Sequence, residues 1–299
     1  MTLVFILGPT ASGKTSLSIE LAKKLNGEIV GADSVQIYKD LVIGSAAPTP
    51  VEMQEVPHHL IGTRDLKDEI SAGIYISKAL PIIEKIEKSG KTPIVVGGTN
   101  FYVDALINGL SPVPAADEET MRLWEEKFRA VSTEELFAEL QKTDPEWAES
   151  ISSPNDRQRI KRGLFVAKTT DKTLSEWNRM ARINAYQGKF IALGIDIERE
   201  KLYETINLRT RIMLESGLIE EVRAINEKGF NTANCKALNS IGYIETERYL
   251  KGEIASVEEL SELIAQNTRH LAKRQLTWLR NRDYVVWKNP LEILESIDL

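Results

Sequence analysis

An α/β fold, a parallel sheet flanked by helices and carrying an all-helical insertion, is the class this sequence predicts, and three observations predict it. The apolar run Leu3–Leu7 ends on Gly8-Pro9-Thr10-Ala11-Ser12-Gly13-Lys14-Thr15, and a helical pattern with Leu17, Leu21 and Leu25 on one face follows at once. Strand-like and helix-like segments then alternate through the first third of the chain, as they do when parallel strands are joined by crossover helices. From Ser111-Pro112-Val113-Pro114 onward that alternation stops, and Asp117 to Asn184 shows helical periodicity alone.

Taken in order, Leu3–Leu7 reads as a buried strand. The eight residues after it fit G-x-x-x-x-G-K-[ST], so the core is P-loop NTPase-like. The two glycines let the backbone curl until successive N–H groups face one anion, and the positive end of the next helix, Lys14–Leu25, adds to them. Lys14 supplies a point charge for the outer phosphate, and the Thr15 hydroxyl is placed to hold Mg²⁺. Glu28–Asp33 is the second strand. Asp33 at its carboxyl end either holds Mg²⁺ through water, acts as a general base, or starts the turn Asp33-Ser34-Val35-Gln36-Ile37-Tyr38. His58-His59 lies in a loop and reads as packed or hydrogen-bonded rather than zinc-binding.

Ser71–Ser89 is a helix with Ile76, Leu80, Ile83 and Ile86 at helical spacing, and Pro81 predicts a kink or break within it. The third strand, Thr92–Gly98, ends in Gly97-Gly98-Thr99. Glycines there permit a close backbone approach to a ligand, and the Thr99 hydroxyl points into the same mouth. No water-activating glutamine or acid follows that strand. The site is built to grip a polyphosphate but poorly equipped to hydrolyse one, which points away from a motor ATPase or GTPase. An ATP-using kinase for a nucleotide or small metabolite stays open as an alternative.

The helical insertion spans 112–189, leaving 1–111 and 190–299 as a discontinuous core. Phe190–Asp196 resumes the sheet and Tyr284–Trp287 is a last strand. Between them the helix Lys201–Ser216 carries Leu202, Ile206, Arg209 and Met213 on one stripe. An arginine on an apolar stripe needs a partner, so Arg209 either reaches a phosphate or pairs with a core carboxylate such as Asp196. Trp278, Tyr243 and Phe101-Tyr102 could stack on a base, yet read better as core.

Composition narrows the class. Of 299 residues, 42% are hydrophobic and 27% charged, which is ordinary for a water-soluble globular chain. One cysteine, Cys235, leaves no internal disulfide and no cysteine-rich zinc site, which suits a reducing cytoplasm. No apolar run is long enough to span a bilayer, and none demands an oligomeric partner, so a cytoplasmic monomer is expected. The net charge of −6 is unevenly spread. Between Ala115 and Ser150 there are eleven acids and four bases, whereas Arg157-Gln158-Arg159-Ile160-Lys161-Arg162 places four positive charges in six residues. Arg269, Lys273 and Arg280 share a helix face in a segment without acids. Such faces are either solvated surface or the footprint of a phosphate backbone.

Together these segments resemble the tRNA dimethylallyltransferase (isopentenyl-tRNA transferase) family of bacterial type. The motifs that carry the likeness are the loop at 8–15, Asp-Ser-Val-Gln-Ile-Tyr at 33–38, Val-Pro-His-His-Leu at 56–60 and Gly-Gly-Thr-Asn-Phe-Tyr at 97–102. Asn-Asp-Arg-Gln-Arg-Ile-Lys-Arg at 155–162, Ser-Ile-Gly-Tyr at 240–243 and Ala-Lys-Arg-Gln-Leu-Thr-Trp at 272–278 complete it.

The resemblance implies transfer of a dimethylallyl group from dimethylallyl diphosphate to N6 of adenosine 37 in tRNAs reading codons that begin with U. The loop, Lys14, Arg209 and Mg²⁺ on Thr15 would stabilise the departing diphosphate, and Asp33 would accept the amine proton. Thr99 would orient either the amine or a diphosphate oxygen. It also implies tRNA contacts from Asp33, Ser34, Val35, Gln36 and Thr99, and from Gln158, Arg159, Ile160, Lys161 and Arg162. The helix bearing Arg269 and Lys273 would hold the anticodon stem. Two positions depart from the family pattern. Ala47 stands where a lysine is common, and Gly163 stands where alanine is, which suggests a looser hinge at about 1 kcal/mol of helix propensity.

Overall fold

The structure, a computed structural model, describes residues 1–297, with Glu118 by its backbone alone; Asp298 and Leu299, the end of the second core segment, lie outside the described residues. By contacts the chain divides into a core unit, Met1–Ile107 with Tyr186–Leu299, and a second unit, Asn108–Ala185.

In the core unit six parallel strands form one sheet: β1 (Thr2–Leu7), β2 (Gly27–Gly31), β3 (His58–His59), β4 (Thr92–Val96), β5 (Lys189–Ile195) and β6 (Val285–Lys288). Their order is β3-β2-β4-β1-β5-β6. Val4 and Ile6 on β1 pair with Ile94 and Val96 on one side and with Ile191 and Leu193 on the other. Leu3 to Leu7 are fully buried, as the unbroken apolar run requires of a strand covered on both faces. His58-His59 is thus not a loop but a short edge strand. His59 Nε2 lies 2.7 Å from Glu28 Oε2, and Lys91 Nζ holds the other oxygen of Glu28 at 2.7 Å, a structural pairing across strand ends.

The helices in chain order are α1 (Lys14–Lys24), α2 (Pro50–Glu55), α3 (Ala72–Lys88) and α4 (Asn100–Asn108), then α5 (Glu118–Arg129), α6 (Thr133–Thr143), α7 (Pro145–Ser150), α8 (Arg157–Thr169) and α9 (Leu174–Arg179). After β5 come α10 (Arg199–Glu215), α11 (Leu218–Glu227), α12 (Tyr243–Leu250), α13 (Val257–Arg280) and α14 (Pro290–Ser296). Pro81 does not break α3, which runs unbroken past it with Ser71 as N-cap. Leu17 and Leu21 of α1 meet Val4, Ile6, Ile29 and Ile94 in the core under the sheet. Leu202 and Ile206 of α10 pack on Ala265 and Ala272 of α13, with Ala11 of the phosphate loop against them.

The second unit is α5 to α9 around Phe128, Leu136, Leu140, Ile160 and Leu164. Its ends are joined where Leu110 and Ile183 exchange two backbone hydrogen bonds of 2.9 Å. Buried Asp144 caps α7 through Trp147 N and also accepts from Ser175 N. Gly163 is no hinge. A Cβ there would lie 2.5 Å from Trp147 Cδ1 and 2.8 Å from Leu140 Cδ1, so glycine is what lets α8 approach its neighbours.

Candidate active site

Because β2, β4 and β1 are adjacent and parallel, the loops after them open side by side at the carboxyl edge of the sheet. Those loops are 8–15, the turn beginning at Asp33, and Gly97–Thr99.

The first is wound as an anion cradle. Gly13 caps α1 in the left-handed region (φ 82°), and Ala11 also has positive φ (65°). The Ser12 hydroxyl is buried and has no hydrogen-bond partner among the described residues. Lys14 Nζ donates to the Pro9 carbonyl at 2.7 Å. Arg209 turns toward this loop rather than to Asp196: its Nη2 donates to Thr10 Oγ1 at 2.6 Å. The Thr10 amide is not turned to a phosphate, as the motif alone suggests. It donates to Gln275 Oε1 at 2.8 Å, so Thr10 offers the site its hydroxyl only.

Two cations share one half-buried place, and the Lys14 ammonium feels it. Burial and then the Arg209 charge pull the Lys14 ammonium down to about 8, with the Asp33 carboxylate opposing. Burial likewise pulls Arg209 below its ordinary value, again opposed by Asp33. The pocket is short of negative charge, which a diphosphate would supply.

Asp33 starts its turn and also reaches the loop after β4. Oδ1 accepts from Val35 N (2.9 Å) and Gln36 N (3.2 Å) and so starts the turn, while Oδ2 accepts from Gly98 N at 3.3 Å. Thr99 Oγ1 accepts from Ser34 N at 2.9 Å and donates to Ser34 Oγ at 3.1 Å. The glycine at 97 permits a close approach to the neighbouring strand end: a Cβ there would lie 2.1 Å from the Ala32 carbonyl oxygen. Gln36 spends its amide on the Ser45 and Ala46 carbonyls, each at 3.1 Å, and thereby shapes the loop after the turn. Glu221 secures the same loop by accepting from Val42 N, Ile43 N and Gly44 N.

Of the aromatic residues, Tyr102 and Tyr243 are core, but Phe101 is 58% exposed at the start of α4. Its burial could not be read from spacing, since it sits where the loop becomes helix.

The basic clusters separate into two kinds of residue. On α8, Gln158, Arg159 and Arg162 are exposed. Ile160 is fully buried, so its side chain is core rather than a nucleic-acid contact. Lys161 is paired with Glu125 at 2.5 Å, and Arg157 turns inward onto Thr133 Oγ1 and the Phe128 and Val131 carbonyls. On α13, Lys273 is exposed, whereas Arg269 is tied to Glu262 and Asn207.

For Mg²⁺ the donor set fits the kind of site that takes most of its oxygens from phosphate and water. Thr15 brings a neutral hydroxyl on the first turn of α1, Asp33 a carboxylate, and the described residues hold no cluster of three His, Cys, Asp or Glu that would cage a metal alone.

The IPP transferase family model matches residues 36–282. The chain is 42% identical to a tRNA dimethylallyltransferase of Pelobacter propionicus over 95% of this chain and 91% of that one. It is 41% identical to that of Geobacter sulfurreducens with the same coverage. Among solved structures, the full-length tRNA isopentenylpyrophosphate transferase of Bacillus halodurans is similar with TM-score 0.71 and 35% identity, covering 99% of this chain and 95% of that one. A eukaryotic dimethylallyltransferase acting on tRNA is similar with TM-score 0.81 and 28% identity, over 99% and 76%.

Proposed function

The chain belongs to the IPP transferase family, and from that premise we propose that it transfers a dimethylallyl group from dimethylallyl diphosphate to N6 of adenosine 37 in tRNA. The observation that carries this reading is the pairing, at the strand ends on either side of β4, of a cation-rich anion cradle with an amide-held carboxylate. The first suits a departing diphosphate and the second an amine that must lose a proton.

The chemistry follows from those two halves. The allylic C–O bond breaks readily because the cation left behind is delocalised, and its electron pair leaves with the diphosphate. Lys14, Arg209, the Thr10 hydroxyl and the amides at the head of α1 stabilise that charge as it develops, the kind of electrostatic contribution that usually dominates such steps. Thr15 would hold Mg²⁺, which would add further positive charge beside the leaving group. The N6 lone pair forms the new N–C bond, and the N6 proton passes to the Asp33 carboxylate. Thr99 keeps the Asp33-Ser34 turn in place through both of its Ser34 hydrogen bonds. The target adenine leaves its stack to arrive there. Lys273 on the core unit, and Gln158, Arg159 and Arg162 on the second unit, each offer exposed groups to the RNA.

The test is incubation of the purified protein with dimethylallyl diphosphate, Mg²⁺ and an unmodified anticodon stem-loop. Adenosine heavier by one C5H8 unit is expected. Unaltered RNA together with transfer of label from γ-labelled ATP to a small acceptor would replace this reading with a kinase.

A further inference from the structure

Three segments far apart in the sequence meet at the side chain of Gln275. It projects from the buried face of α13, 8% exposed. Its Oε1 accepts the Thr10 N–H at 2.8 Å, and its Nε2 donates to the Gly98 carbonyl at 2.8 Å. Asn100 Nδ2 donates to the Gln275 main-chain carbonyl at 3.3 Å, which ties the start of α4 to the same turn of α13. One primary amide therefore spans the phosphate loop and the loop after β4. The task needs an acceptor and a donor on one carbon, which glutamine and asparagine provide without charge and without taking up a proton.

Both ends of this bridge are already committed to the site. Thr10, held by its N–H, receives Arg209 on its hydroxyl at 2.6 Å. Gly98, held by its carbonyl, gives its N–H to Asp33 Oδ2 at 3.3 Å. A Cβ at position 98 would lie 3.1 Å from both Asp33 Oδ2 and Gln275 Nε2, so the glycine is fitted tightly between the two side chains. Fixing the Gly98 carbonyl also fixes the peptide plane that leads into Thr99.

The geometry points to Gln275 as a positioning residue that holds the leaving-group half of the site, the phosphate loop, in register with the acceptor half, Asp33 and Thr99. This rests on the prenyl-transfer reading above. Gln275 itself is hydrogen-bonded to protein at both ends of its amide, so its effect belongs to alignment rather than to substrate affinity.

Gln275→Glu separates the two bonds. It keeps an oxygen for the Thr10 N–H but sets a second oxygen against the Gly98 carbonyl. The measurements are the single-turnover rate of stem-loop prenylation, the Kd of inorganic pyrophosphate by calorimetry, and the Tm. The expected result is a rate lower by roughly tenfold to a hundredfold with pyrophosphate Kd within about threefold of wild type. Gln275→Asn, which keeps the amide on a stem too short to span both partners, should also slow the step, and decides the matter if Gln275→Glu does not fold. Rates within about twofold of wild type for the folded variants would overturn the inference, as would a Gln275→Glu rate that falls only in proportion to pyrophosphate affinity. A wild-type protein that prenylates nothing would instead remove the functional reading on which the inference stands.

Discussion

One carboxylate, that of Asp33, holds its own turn and the loop after β4, and on the proposed mechanism it is also the base. Oδ1 is engaged by two amides of its own turn, and Oδ2 by the Gly98 amide. Asp33→Asn keeps an oxygen for the turn and loses the base. Prenylation should therefore drop by about 10²–10⁴-fold while stem-loop affinity holds; a single-turnover assay beside a binding titration checks this, and an unimpaired rate would take proton acceptance away from Asp33. Lys14 gives a pH signature. With its ammonium pulled down to about 8, the charge is present below that pH and lost above it. Affinity for dimethylallyl diphosphate should fall as pH rises through 8 in the wild type. Lys14→Met should bind weakly with that limb absent, as calorimetry across pH 6.5 to 9.5, a range of about three units around the shifted value, would show.

At the scale of elements, glycines are where sequence reasoning and packing part company. Helix propensity alone predicts that Gly163→Ala stabilises α8 by about 1 kcal/mol. The Cβ it adds would meet the Trp147 ring at 2.5 Å, and overpacking of this sort costs about 1–3 kcal/mol. Packing should win, so the second unit should melt earlier in Gly163→Ala; a raised Tm would mean that Trp147 yields freely. The strands other than β3, the phosphate loop and the stripe on α10 were legible because each is a local pattern, whereas β3 is two residues long and too short to show a period. Gln275 was not, since its partner Thr10 lies 265 residues away and nothing local marks a buried glutamine as a bridge. The Gly97 contact was legible as a close approach but not as one between two strand ends, because sequence does not reveal which backbone is the neighbour.

Across the whole molecule, charge counting overstated the basic clusters because it ignores partners. The acidic run preceding α8 supplies Glu125 to Lys161, and Arg157 is consumed by α5–α6 carbonyls. Arg159 is 55% exposed and its ion pair with Asp156 is a longer one at 3.4 Å, against 2.5 Å for Lys161 with Glu125, so it is the better candidate for a phosphate contact. Arg159→Glu should weaken tRNA binding and reduce the slope of log affinity against log salt by roughly one. Arg157→Ala should leave that slope alone and cost stability of about 2–4 kcal/mol in the second unit. Reversal of these two outcomes, read from salt titrations and thermal melts, would mean that the inward arginine is the one that meets RNA. The most direct test of the central claim, that the cradle discards a diphosphate while its carbon passes to RNA, is the stoichiometry of one turnover. One pyrophosphate released per prenylated adenosine, both at the same rate, is expected; pyrophosphate or phosphate released without any gain of mass by the RNA would contradict it.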